Sequence, residues 1–277
     1  MCLRDAGTRD GGRTRWWAIR SFPAQVRPYA AAVIALAFTA DDHADTGPVH
    51  GRVRRLDEYV AAARAACAAG GDRDPILHAT AHTMATFEEL WPLLEGTFTA
   101  MRQDAAFTTF TTYEELEQWA AEMTGGPTVG LGMLAGSCEQ ARSAEPQLRE
   151  LGALAQLVDM LCDLADDLAD SRLYLPLEDL DRFGVTVEEI MARRWTPAIA
   201  ELVSFEAERI QRRLPSLGTE LQHAFQSPLW PAAIEYGSML LDQVIAAGAN
   251  VLRRPVKPRL ADITAVWKPV WRCALSL

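Results

Sequence analysis

Residues 149–176, RELGALAQLVDMLCDLADDLADSRLYLP, constrain the chain more than any other stretch. From Leu151 to Ala169 there is no Pro and no Gly other than Gly152. β-Branched residues are few, so the segment reads as helix. At about 3.6 residues per turn, Asp159, Asp163, Asp166 and Asp170 share one narrow stripe, with Asp167 at its edge. Leu154, Leu157, Leu161, Leu164 and Leu168 cover the opposite side. An amphipathic surface helix with a solvated acidic face is the plain reading. It leaves unexplained why no Lys or Arg lies between Gln156 and Ser171. Like charges one turn apart repel, and exposed faces usually intersperse both signs. A bound cation among the carboxylates accounts for the pattern.

A second acidic cluster lies early in the chain. Pro28 suits a first helical turn, and YAAAVIALAFTADDHAD continues from it as one apolar helix to about Asp45. Asp41 and Asp45 are one turn apart and point the same way. Carboxylates at a helix C-terminus oppose the macrodipole, so without a counter-ion they sit badly there. A polar exit into the loop TGPVHG is the alternative.

Elsewhere the pattern is helical throughout. RVRRLDEYVAAARAACAA (52–69) closes at Gly70-Gly71, and Pro75 opens another helix. His78 and His82, one turn apart, have no visible third metal ligand and read as helix histidines. Thr86, Thr112 and Thr186, each followed three residues later by Glu, read as capping boxes. The stretch 123–136, MTGGPTVGLGMLAG, interrupts the helical pattern with five glycines and a proline. It lacks nucleotide-loop spacing and predicts a kink with room for a ligand or a neighbouring backbone. Later breaks are expected near Gly184, Pro215 to Gly218 and Pro228 to Pro231. No strand alternation persists, so the fold class is all-α.

Composition narrows the function. A net charge of −10 over 277 residues argues against nucleic-acid binding. The five scattered cysteines lack zinc spacing and fit a reducing cytoplasm. The start shows no apolar core or cleavage site of a secretory signal. Tyr29 to Ala40 is too short to span a bilayer, which leaves peripheral membrane contact at most. Residues 1–15 read as a flexible Arg/Gly arm and residues 16–277 as one domain.

The two Asp-rich helices, together with MRQDAAFTTFTTYEELEQW (101–119) and TVGLG (128–132), resemble the squalene/phytoene synthase family over roughly residues 20–260. Gly152, Gln156, Asp163, Asp167, Arg172, Tyr174 and Pro176 fall where that family's second signature places them. The resemblance implies an isoprenoid synthase fold, a helical bundle around a central cavity with two facing Asp-rich helices. It implies a cluster of two or three Mg²⁺ held by Asp41 and Asp45 on one side and by Asp159, Asp163 and Asp167 on the other. Asp41, Asp45, Asp163 and Asp167 are then the catalytic carboxylates. Asp42, Asp166, Gln156 and Tyr174 support them, and Arg172 binds diphosphate. Metal-assisted loss of diphosphate would leave a prenyl carbocation in an apolar pocket.

The chain departs from the family pattern where a Tyr and an Arg give way to Ile34 and Phe38, and where Asn and Arg give way to Asp159 and Cys162. The late aromatic hydroxyl of the family corresponds to a position near Ala249, where this chain has none. These losses predict one prenyl diphosphate substrate, dimethylallyl diphosphate favoured, and a neutral aromatic acceptor of the indole or carbazole type. Head-to-head condensation of two prenyl diphosphates is the alternative. A non-catalytic assembly partner would have degenerate Asp boxes. A metal-dependent helical hydrolase would add histidines to the acidic stripe.

Overall fold

The computed structural model describes residues 19–274, so the expected arm at 1–15 lies outside the described residues. Among the described residues there are helices and no strands, as the all-α reading expects. None is long and apolar enough to cross a membrane.

Helix α1 runs Arg27–Asp45 with Pro28 in its first turn. It ends where Thr46 returns both its N–H and its hydroxyl to the Asp42 carbonyl. Helix α2 is Arg52–Ala69, closed by Gly70 at φ +75°, a left-handed conformation that glycine adopts without strain. Helix α3 is Pro75–Thr86, capped by the Asp74 carboxylate on the N–H groups of Ile76 and Leu77. Helix α4 is Leu90–Ala105 and α5 is Tyr113–Ala120. Two of the three expected capping boxes form, at Thr112–Glu115 and Thr186–Glu189. The third does not. Thr86 is the last residue of α3, and its hydroxyl turns back onto the His82 carbonyl at 2.8 Å, a competing bond open to any helical threonine. His82 stacks on Tyr29 with ring centres 5.9 Å apart.

The glycine-rich stretch makes room for neighbouring backbone, as its small residues predict, without breaking the helix. The chain stays helical, passing through one π-helical turn (Ala121–Gly125) into α6 (Gly126–Ala135). The small residues serve neighbouring backbones. A Cβ on Gly126 would lie 1.8 Å from the Leu93 carbonyl of α4. A short helix α7 (Cys138–Ser143) leads into α8, Glu145–Ala169. Helix α8 crosses the π turn so closely that a Cβ on Gly152 would meet the Thr124 carbonyl at 2.6 Å. The Thr124 hydroxyl donates to the Gly152 carbonyl at 2.7 Å and ties the crossing.

The chain continues as α9 (Leu177–Phe183), α10 (Val187–Met191), α11 (Pro197–Gln211), α12 (Leu214–Phe225), α13 (Leu229–Ala247), a 3₁₀ segment (Gly248–Leu252) and α14 (Leu260–Ala274). The break after Gly184 falls as expected. The helices also break near Pro215 and Pro228, just before α12 and α13, with Pro215 and Pro231 inside the first turns, where a proline needs no N–H partner. The seven leucines of α8 are all buried and place this helix in the middle of the core. It is flanked by α5, α6, α11, α13 and the π turn, while α1 packs on α2, α3 and α4.

Candidate active site

Three helix ends and one turn supply the polar groups. The last turn of α1 carries Asp41, Asp42 and Asp45, and that of α4 carries Asp104. The C-terminal half of α8 carries Asp159, Asp163 and Asp167. After Ala169 the chain closes α8 with paired bonds, Ser171 N–H to the Leu168 carbonyl and Arg172 N–H to the Asp167 carbonyl. Ser171 takes φ +59° between them. This reversed cap returns Arg172 and Tyr174 to the site, and both are 7% exposed.

The acidic helices face each other. Burial and then the charges of Asp45, Asp104, Asp42 and Asp159 push the Asp41 carboxyl up to about 8. Asp167 is also pushed up to about 8, by burial and then by Asp163, Asp159 and Asp104, with Arg172 opposing. Burial and Asp166 raise Asp163, while Lys257 eases it. Carboxylates from α1 and α8 therefore lie in one common field, with Asp104 between them. Of the stripe predicted on α8, the inward edge is Asp163 and Asp167, both half-buried, whereas Asp159, Asp166 and Asp170 are exposed. Asp159 still acts on Asp41, Asp167, Cys162 and Tyr236. Asp42 is exposed and Gln156 half-buried.

Arg172 is tied into the acidic cluster. Its Nη1 donates to Asp104 Oδ2 at 2.8 Å, and its Nη2 lies 2.9 Å from Asp45 Oδ1. The second contact is an ion pair without hydrogen-bond alignment. The guanidinium expected to hold diphosphate is engaged by two carboxylates. Tyr174 donates its hydroxyl to Asp104 Oδ1 at 2.5 Å. Its ring stacks on Trp119 at 5.3 Å and meets Phe107 edge-on at 5.0 Å. Asp104 was not singled out from sequence, where it is a lone acid among MRQDAAF with no periodic partner.

The other wall contains Cys162 and Tyr236. Burial and the neighbouring Asp159 and Asp163 push the Cys162 thiol up to about 12. Burial, Cys162 and Asp159 push the Tyr236 phenol up to about 12. The 253–259 loop lies against α8 through Val256 N–H to the Cys162 carbonyl at 2.8 Å, which brings Lys257 beside Asp163.

Whether these residues suit Mg²⁺ is decided by donor type and charge. Every candidate ligand offers carboxylate oxygen, the donor a hard divalent ion takes. The like-charge repulsion that raises Asp41 and Asp167 is what such an ion would offset. Among the described residues no three His, Cys, Asp or Glu side chains converge into a complete protein cage. Mg²⁺ characteristically uses one or two carboxylates and fills its shell with water and phosphate oxygens. The residues fit on that basis.

Comparison with known proteins points the same way. Residues 8–262 match the squalene/phytoene synthase family model. The chain is 24% identical over 216 residues to the 15-cis-phytoene synthase of Synechocystis, covering 72% of this chain and 64% of that protein. It is 33% identical over 120 residues to the phytoene synthase of Thermus thermophilus, covering 42% and 40%. The chain thus spans less than two thirds of these curated relatives. Among solved structures, squalene synthase HpnC of Alicyclobacillus acidocaldarius superposes with a TM-score of 0.69 at 24% identity, covering 86% of this chain and 89% of that one. A dehydrosqualene synthase determined with a ligand superposes at 0.73 and 19% identity, covering 96% and 93%. At such identities the superpositions establish the fold, an isoprenoid synthase bundle.

Proposed function

The chain belongs to the squalene/phytoene synthase family, and from that premise we propose that it condenses two prenyl diphosphates head to head between α1 and α8. The observation that carries this reading is the shared field of Asp41 on α1 and Asp159 and Asp167 on α8, with Asp104 of α4 acting on both sides. Asp41, Asp45, Asp159, Asp163 and Asp167 would hold Mg²⁺, two or three ions, with Asp42, Asp166 and Gln156 in support. Bound Mg²⁺ would neutralise the diphosphate and make it a better leaving group. The chain's own part is to orient those carboxylates and to keep water from the allylic cation with apolar side chains. A cytoplasmic location accompanies this reading, since Cys67, Cys138 and Cys162 are free thiols.

The expected aromatic acceptor is corrected. The relatives bear the names phytoene synthase, and the structural neighbours squalene and dehydrosqualene synthase. The physical premise also weakens. Basic and phenolic groups from other elements also share the field of these carboxylates: Lys257 with Asp163, Arg52 with Asp104, and Tyr236 with Asp159. The sequence pattern does not show these because they come from other elements.

The test is incubation of purified protein with Mg²⁺ and farnesyl or geranylgeranyl diphosphate alone. A C30 or C40 product formed from two equivalents of donor is expected. Release of free prenol alone, with no coupled product, would sink the reading.

A further inference from the structure

We propose that Asp104 is a positioning residue that fixes the separation of the two acidic helices through Arg172 and Tyr174. The inference rests on reading α1 and α8 as the metal-holding pair. Asp104 stands at the end of α4 and is 7% exposed. Both of its oxygens are engaged, Oδ2 by Arg172 at 2.8 Å and Oδ1 by the Tyr174 hydroxyl at 2.5 Å. With neither oxygen turned to a ligand, it acts through its partners.

Those partners connect the site. Arg172 reaches from the turn that closes α8 to Asp45 in the last turn of α1, at 2.9 Å. Tyr174 is held from behind by Trp119 of α5 and by Phe107. The path from α8 to α1 therefore runs through one guanidinium whose direction is set by Asp104. A buried charge network is by itself weak evidence of net stabilisation. Partners that orient metal-binding carboxylates from outside cost about 10–100-fold in metal affinity when removed.

The experiment compares wild type with Asp104→Asn and Tyr174→Phe in calorimetric titrations of Mg²⁺ with inorganic pyrophosphate, alongside circular dichroism melting. Wild type is expected to bind. Asp104→Asn, folded, is expected to weaken binding by about tenfold or more, and Tyr174→Phe to weaken it less, in the same direction. A purely structural role would lower the melting temperature and leave the affinity of folded protein unchanged, which would overturn the proposal. Tighter pyrophosphate binding by Asp104→Asn would also overturn it, by exposing Arg172 as a direct ligand that Asp104 restrains. Should Asp104→Asn not fold, Tyr174→Phe decides: unchanged affinity rejects the positioning role. Failure of wild type to bind would instead reject the underlying metal-site reading and this inference with it.

Discussion

Arg172 and Asp104 form a buried ion pair, 2.8 Å between Nη1 and Oδ2, with each residue 7% exposed. Neither helix bearing the acidic stripes contains this pair, yet it lies between their ends. Burying two charges is costly, and removing one leaves the other uncompensated. Arg172→Met is therefore expected to destabilise the protein by about 3–5 kcal/mol. The double variant Asp104→Asn, Arg172→Met should recover part of that loss. Urea denaturation midpoints at constant m-value check both.

Close helix crossings set a ranked series of glycine substitutions. A methyl group at Gly126 meets the Leu93 carbonyl at 1.8 Å, and one at Gly152 meets the Thr124 carbonyl at 2.6 Å, both rigid backbone. At Gly130 the obstacle is the end of the Leu90 side chain at 2.9 Å, which can turn aside. Gly152→Ala should cost about 1–3 kcal/mol, Gly126→Ala more and Gly130→Ala less. Guanidinium unfolding would show a different order if the crossings are loose.

Asp41→Asn should separate stability from activity. Its carboxyl is pushed up to about 8 by burial and four neighbouring acids, so ionising it costs the metal-free fold. The amide carries no charge, and the variant should melt no lower than wild type at pH 8. Prenyl transfer should fall by more than the ~100-fold ascribed to outer partners. A variant that melts well below wild type would contradict this account.

Glu206 gives a pH dependence away from the site. It lies 4% exposed on α11, with Arg209 Nη1 3.3 Å from Oε2. Burial outweighs Arg209, Asp179 and Glu178 add to it, and the carboxyl is pushed from 4.5 up to about 8. Folded protein then keeps a proton that the unfolded chain releases, so stability falls as pH rises from about 4.5 to about 8. Glu206→Gln should flatten that decline. A tenfold difference in proton affinity is worth about 1.4 kcal/mol, enough to read from melting curves across the window. An unchanged slope would mean other groups, such as Asp41 and Asp167, carry it.

Much of the fold was legible because its signals are local. Pro28, Gly70, Pro75 and Gly184 mark helix ends that the structure reproduces. Thr112 and Thr186 cap as their spacing predicts. The glycines of 123–136 give the room for neighbouring backbone that their size predicts, whereas Thr86 caps nothing, because a threonine can bond back along its own helix. Asp41, Asp45, Asp163 and Asp167 were legible as candidates, since helix periodicity sorts residues onto faces without reference to anything else.

Periodicity alone determined that this chain is all-α and that it carries two acidic stripes on separate helices. Only the tertiary structure decided that the stripes face each other, that Asp163 and Asp167 form the inward edge, and that Arg172 is held by Asp45 and Asp104. The reason is that a helix repeat fixes angles about one axis, whereas burial, charge and pairing depend on what other helices bring across the gap. Periodicity gives Asp104 no signature, because its partners lie 68 and 70 residues away, joined to it only by the packing of α4 against the rest of the bundle; the 101–119 stretch that contains it stood out only by resemblance.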